Sequence, residues 1–534
     1  MTKRFWMASL IAGASLIAAD ASLAQKADPA VVRTASGPVR GVIHDGLRQF
    51  KGIPYAAAPV GNLRWAMPRT PKSWTAIKDA TKYGNACPQV SRYGLTEASD
   101  DENCLTINVT APYSGKPGKG KPVIVWIHGG AFVGGSSALY PLDAMAKAGD
   151  VVVVSLNYRL GVFGFMPHPS FDKAHNGGYG LEDQRFALHW VKRNIAAFGG
   201  DPNNVTIAGE SAGGAGVCMH LIAPQETRGL FNKAIMQSAG CATPLRTVAE
   251  GSKIGKSVAE AIGCTDAKTA VACMRKAPVK DLLDAASKAG GSDLMAYAPV
   301  VGAKTVPLQG AEAFRSGKFV RVPVMNGGTR DELRLYVAYD IQAGAKITND
   351  NYADKLKAIY GANTDAVLKK YPVSNYSSAP AALGTVMSDF NPSVGLNNCI
   401  YLEAGKLMAK RVPVYELVFG DRDAPAVTTN PGFEMGAVHS SELPYFFPHF
   451  DNTTKVAGPD LKPGSLTLAK QMMNYWMSFA KTGKPVAKDG PAWPLFKANG
   501  DVMRFDPGKV GPFDAGAEHN CGFWKSLYPK ILTQ

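Results

Sequence analysis

The sequence predicts an α/β fold: a mostly parallel central sheet with helices on both faces and helical insertions over the sheet's carboxyl edge. Three observations predict it. Short Val/Ile-rich runs bounded by Pro, Gly or Asp recur along the 534 residues. They lack period-two alternation, as strands buried on both faces do. Amphipathic helical stretches stand between several of them, which is how strand–helix–strand units read.

The first 24 residues stand apart from that pattern. Lys3 and Arg4 precede an apolar stretch from Phe5 to Ala19, and small residues follow to Ser22-Leu23-Ala24. This predicts a secretory signal cut after Ala24 and a secreted or periplasmic protein. The stretch falls short of the roughly 20 residues that span a bilayer, so no stable membrane anchor is expected. Export makes disulfides expected among the eight cysteines. Cys87 with Cys104, Cys264 with Cys273 and Cys399 with Cys521 are possible pairs that sequence alone does not fix; Cys218 and Cys241 are then left over, with buried free thiols as the default.

The strand-like runs follow in order: "PVIVWIHGG" from Pro122, "DVVVVSLNY" from Asp150, "NVTIAGES" from Asn204, "KAIMQSAG" from Lys233, "VPVMNGG" from Val322 and "VPVYELVFG" from Val412. The best helix is "GLEDQRFALHWVKRNIAAFGGDP", in which Phe186, Leu188, Trp190, Val191, Ile195 and Phe198 make a broad apolar face and Gly199 with Pro202 supplies the stop. Segments of about 243–320 and 335–410 are rich in Ala, Lys and Gly at helical spacing. They read as insertions within one domain over residues 25–534, because no Pro/Ser-rich linker separates them.

With 46% hydrophobic and 19% charged residues the chain is an ordinary globular one. Its net charge of +15 comes from scattered Lys and Arg, with no dense basic block and no zinc-finger spacing, so nucleic acid is not expected as a partner. No metal-binding motif is present, and no cofactor is expected.

"NVTIAGESAGGAGVCMHLI" carries the chemistry: a buried strand, a sharp turn at Ser211 and a helix from about Ala212. That is the context of a G-x-S-x-G nucleophile elbow. The turn holds its serine at positive φ and crowds the residues two before and two after, which Gly209 and Gly213 allow by lacking a Cβ. A serine hydroxyl needs a base. In this arrangement the chain order is nucleophile, acid, base. After the run ending at Val324, "NGGTRDEL" offers Asp331 and Glu332; after the run ending at Phe419, "GAVHSSELPYFF" offers His439. His449 and His519 satisfy the order too, in Pro-rich or C-terminal contexts, and His189 sits on a helix. "WIHGGAFVGG" supplies an HGGG-type turn, so the N–H groups of Gly130, Ala131 and Ala212 are the candidate oxyanion hole.

These motifs, with "FKGIPYAAAPVGNLRW" from Phe50, "ENCLTINV" from Glu102, "NYRLGVFGF" from Asn157, "FGGDPNNVTIAGESAGG" from Phe198 and "CGFW" from Cys521, resemble the type-B carboxylesterases, the family of bacterial para-nitrobenzyl-type esterases, animal carboxylesterases and cholinesterases. The resemblance runs nearly end to end. It implies an α/β-hydrolase fold and hydrolysis of small-molecule carboxylic esters through Ser211 as nucleophile, Glu332 as acid and His439 as base. It also implies that Ser238 supports the acid by hydrogen bonding and that the three cysteine pairs named above form. Two departures stand out. Ala131 replaces a frequent third glycine, narrowing the acyl side, and Leu333 follows the acid where glycine is frequent, which keeps Asp331 open. No Trp lies between Cys87 and Cys104, so an aromatic choline site is not expected. The rival functions are an interfacial lipase with an amphipathic lid and a non-catalytic binding or adhesion module. The basic charge leans toward esters of polycarboxylic acids, such as the tricarballylate esters of fumonisin-type toxins.

Overall fold

The computed structural model describes residues 1–2, 28–91, 97–113, 120–291, 293, 295–448, 450 and 461–533. The expected leader, apart from its first two residues, and His449 lie outside the described residues. Fourteen strands are described: β1 (Val31–Thr34), β2 (Gly37–Arg40), β3 (Val42–His44), β4 (Leu47–Pro54), β5 (Lys78–Asp79), β6 (Thr106–Pro112), β7 (Lys121–Ile127), β8 (Val152–Leu156), β9 (Gly200–Glu210), β10 (Lys233–Gln237), β11 (Val324–Thr329), β12 (Val414–Phe419), β13 (Val502–Phe505) and β14 (Gly511–Phe513). Three of them, β1, β2 and β5, make a small separate sheet. The other eleven form one sheet in the order β14-β13-β12-β11-β10-β9-β7-β8-β6-β4-β3.

From β13 to β8 every neighbouring pair is parallel, and the antiparallel pairs lie at the two flanks. All six apolar runs of the sequence are strands of that parallel block, which is why they carry no alternation: β8, β10, β11 and β12 are buried at every position. Two large apolar clusters pack the two faces, one containing Val123, Val125 and Val154, the other Ile124, Trp126 and Val153. Alternate residues of a strand thus feed opposite cores, as a pleat requires. This is the expected α/β-hydrolase architecture.

The predicted helix forms over Tyr179–Asn194 and ends as expected at Gly199, whose φ of 91° is left-handed. Its first turns are more polar inside than the apolar face suggested. Asp183 is buried because Arg159 donates to both its oxygens at 2.7 Å, and Glu182 because Arg185 donates to it at 2.7 Å.

Four disulfides are present: Cys87–Cys104, Cys264–Cys273, Cys399–Cys521 and Cys218–Cys241. The first three are the pairs that the resemblance implied. The fourth corrects the expectation of free thiols at Cys218 and Cys241. Its cause is the sheet order: β9 and β10 are neighbours, so the helix Ala212–Leu221 that leaves β9 passes the loop that leaves β10, with the two Cα atoms 5.8 Å apart. Four disulfides fit an extracellular protein. Among the described residues no helix is long and apolar enough to cross a membrane.

Candidate active site

Ser211 stands between the end of β9 and the helix Ala212–Leu221, at φ 58° and ψ −125°. The elbow is as tight as its glycines imply. A Cβ on Gly213 would lie 2.0 Å from the Ile127 carbonyl oxygen, and one on Gly209 would lie 2.5 Å from the Gly213 carbonyl carbon. The amide of Ser211 donates to the Gln237 carbonyl at 2.9 Å, which carries the turn of β9 onto the end of β10.

His439 reaches Ser211 from a loop beyond β12. Its Nε2 lies 2.8 Å from Ser211 Oγ and its Nδ1 2.7 Å from Glu332 Oε2. Glu332, in the turn after β11, is fully buried, and its other oxygen accepts from Ser238 Oγ at 2.6 Å, the Thr329 amide at 2.8 Å and the Tyr401 hydroxyl at 3.0 Å. Burial, the largest influence, pushes that carboxyl up, but the His439 charge and hydrogen bond, with those from Ser238 and Thr329, hold it below its ordinary value. The structure thus brings Ser211, His439, Glu332 and Ser238 into one hydrogen-bonded chain.

Asp331 does not join it. Its Oδ2 accepts the Ala437 amide at 3.0 Å and its Oδ1 accepts from Arg422 at 3.0 Å, so it clasps the base of the His439 loop from outside. Neither His519 nor His189 joins that hydrogen-bonded chain. His519 Nδ1 pairs with buried Asp389 at 2.7 Å, and His189 lies within the helix Tyr179–Asn194. His128 is buried beside the Gly129 carbonyl, and burial drives its imidazole down to about 4.

The turn after β7 runs through three successive positive φ values: 112° at Gly130, 52° at Ala131 and 61° at Phe132. No acceptor among the described residues takes up the amides of Gly130, Ala131 or Ala212. Gly130 and Ala131 border the smaller of the two clefts described below, and Ala131 and Ala212 border the larger one.

Two further carboxyl groups were not foreseen. Glu210, the variable residue of the elbow, accepts from Ser440 Oγ at 2.8 Å and lies 3.3 Å from His439 Nε2. Glu442 accepts from Gln237 at 3.1 Å, and its carboxyl is pushed up to about 8, first by burial and then by the charges of Glu210 and Glu332. Burial also raises Glu210. Burial pushes His439 down, but Glu210 and Glu332 outweigh it and the imidazole ends above its ordinary value. No spacing rule marks either carboxyl; position within the elbow and three residues past the histidine are the only sequence signals.

Two clefts meet at Ser211. A cavity of about 600 Å³ is lined by Ala131, Ala212, Met219 and Pro299, with Arg246 at its edge, and does not include His439. A cleft of about 40 Å³ on the other side includes His439, Ser440, Tyr140 and Phe450.

A model of the carboxylesterase family matches residues 28–524. The chain belongs to the carboxylesterase family. As a carboxylesterase it is a carboxylic ester hydrolase. It is similar to the para-nitrobenzyl esterase of Bacillus subtilis (strain 168), 34% identical over 87% of this chain and 92% of that protein. It is also similar to the fumonisin B1 esterase of Sphingopyxis macrogoltabida, 33% identical over 90% of this chain and 87% of that protein. Among solved structures a PNB esterase superposes on the carboxylesterase with a TM-score of 0.77 at 30% identity, covering 92% of this chain and 98% of that one.

Proposed function

We propose that this carboxylesterase works through Ser211 as nucleophile, His439 as general base and Glu332 as the acid that orients it, with the amides of Gly130, Ala131 and Ala212 as oxyanion hole. The observation that carries the reading is the unbroken hydrogen-bonded run from Ser211 Oγ through His439 to Glu332. Neutral His439, with its proton on Nδ1 toward Glu332, accepts the Ser211 proton at Nε2 as Oγ attacks the ester carbonyl. The oxyanion amides hold the oxygen of the tetrahedral intermediate, each worth about 3 kcal/mol in the transition state. His439 then returns the proton to the leaving alcohol, and water repeats the sequence on the acyl-enzyme. Glu332 stabilises the imidazolium, and Ser238 and Tyr401 hold Glu332 ionised.

The same proton transfer assigns the two clefts. The leaving oxygen must lie against His439, so the alcohol occupies the smaller cleft and the acyl group the cavity of about 600 Å³. The polycarboxylic acyl class suggested by the basic charge gains support from the name of the fumonisin B1 esterase relative. Export with cleavage after Ala24 is part of the same proposal, supported by the four disulfides and tested by the intact mass of the exported chain.

A fluorophosphonate probe is the direct test of the site. It is expected to label one serine, with loss of labelling and a fall in kcat/KM of about 10⁴-fold or more in Ser211→Ala. Labelling elsewhere, or an active Ser211→Ala, overturns the assignment. A rate that jumps above the solubility limit of the ester instead marks an interfacial lipase.

A further inference from the structure

The acyl cavity is mainly apolar in its lining, yet one cation borders it. Arg246 is the only Lys, Arg or His among its described lining residues, and Asp293 the only carboxylate. The two side chains pair through Arg246 Nη2 and Asp293 Oδ2 at 3.2 Å and remain 35% and 48% exposed. Nη2 also donates to the Met295 carbonyl. Both contacts fall on that one nitrogen, so Nε and Nη1 have no acceptor among the described residues. A guanidinium has five donors in a rigid plane, and here most of them are left for something else.

The backbone under Arg246 is pinned. Its carbonyl accepts from the Val301 amide at 2.9 Å. The preceding residue, Leu245, is bracketed by Gln309, which accepts its N–H and donates to its carbonyl, both at 2.8 Å. Five residues upstream, Cys241 is tied to the helix that begins after Ser211. A cation held in place at the border of the cavity that starts at Ser211 is preorganised for an anion at a fixed distance from the scissile carbonyl.

We propose that Arg246 is the specificity-determining anchor for a carboxylate on the acyl part of the substrate, so that the enzyme selects esters of di- or polycarboxylic acids in which a second acid group is free. Asp293 holds one edge of the guanidinium and competes with that carboxylate for it. The proposal rests on Ser211 being the nucleophile and on the acyl group lying in the larger cavity.

Acid release from monobenzyl glutarate, whose acyl chain is anionic, is compared with release from benzyl hexanoate, its neutral counterpart, in the wild type, Arg246→Ala and Asp293→Ala. Arg246→Ala is expected to raise KM for the hemiester about 10- to 100-fold, the range of one charge-assisted contact, with its kcat and both constants for benzyl hexanoate within about twofold. Asp293→Ala is expected to lower KM for the hemiester. Monobenzyl succinate and adipate serve as rulers, and the Arg246 effect is expected to peak at one chain length. An unchanged hemiester KM in Arg246→Ala, an equal loss on both esters, or a hemiester KM that rises in Asp293→Ala overturns the proposal. The fluorophosphonate probe separates the two levels: if it labels Ser211 while the Arg246 effect is absent, only the anchor has failed, and if it labels another residue, the assignment of Ser211 falls as well.

Discussion

At the scale of single residues the site concentrates unfavourable conformations and charges that its surroundings hold in place. Ser211, Ser238 and Ser440 all have positive φ, and each lies in or beside the Ser211–His439–Glu332 chain. Such conformations cost on the order of 1–3 kcal/mol each and persist only where neighbours fix them. Glu210 does the same for charge, because a carboxyl buried against the imidazole favours the protonated base. In the proposed mechanism activity requires neutral His439, so a raised imidazole moves the acidic limb of kcat/KM upward in pH. That limb is expected above 6.5, the ordinary imidazole value, and Glu210→Gln is expected to bring it down by up to about one unit, measured as a pH profile on a neutral ester. Ser211, His439 and the turn of Asp331 and Glu332 were legible because their order along the chain and the glycines around the elbow follow from strand ends and tight turns. Tyr401 was not, because a side chain that reaches the site from a distant helix leaves no pattern in sequence, and Glu210 and Glu442 were not, because no spacing rule calls for an acid beside the elbow serine or three residues past the histidine. Between Asp331 and Glu332 chain order decided nothing and the resemblance alone pointed to Glu332, for a plain reason: adjacent residues of a turn point in different directions, and only the backbone says which way.

At the scale of elements, the six parallel strands β7 to β12 were readable and the strands that flank them were not. Complete burial makes β8, β10, β11 and β12 continuous apolar runs, whereas β13 has four residues including half-buried Arg504, and β3 is exposed throughout. The Cys218–Cys241 link escaped for another reason, since it depends on which strands are neighbours. It joins the helix after Ser211 to the loop that carries Arg246, closing 23 residues. Replacing both cysteines by alanine is expected to lower unfolding stability by about 3 kcal/mol, read by chemical denaturation of the oxidised protein against the wild type. A midpoint equal to that of the wild type would mean that the link constrains nothing the fold does not already hold.

At the scale of the whole molecule, the charge of +15 gives the protein a field that acts before any contact forms. With monobenzyl glutarate as substrate, kcat/KM is expected to fall as salt rises from about 0.01 to 0.5 M, because screening shortens the reach of the field from about 30 Å to a few ångströms. With benzyl hexanoate it is expected to stay level. A salt dependence of the same size for both would assign the effect to the stability of the protein and not to attraction of the substrate.

Ser211, Ser238, Glu332 and the loop that carries His439 issue from the ends of β9, β10, β11 and β12, four neighbours in one sheet. Their lateral spacing is that of main-chain pairing, about 4.8 Å per strand, and owes nothing to the long excursions between them. The hydrogen-bonded residues of the proposed site therefore have addresses on a lattice, while the walls of the larger cavity come largely from residues 243–246, 293, 295, 298–299 and 393–396, which hang outside it. Exchange of those stretches between relatives should rewrite the choice of acid without disturbing the machinery that cuts the bond, so one scaffold can serve a succession of diets.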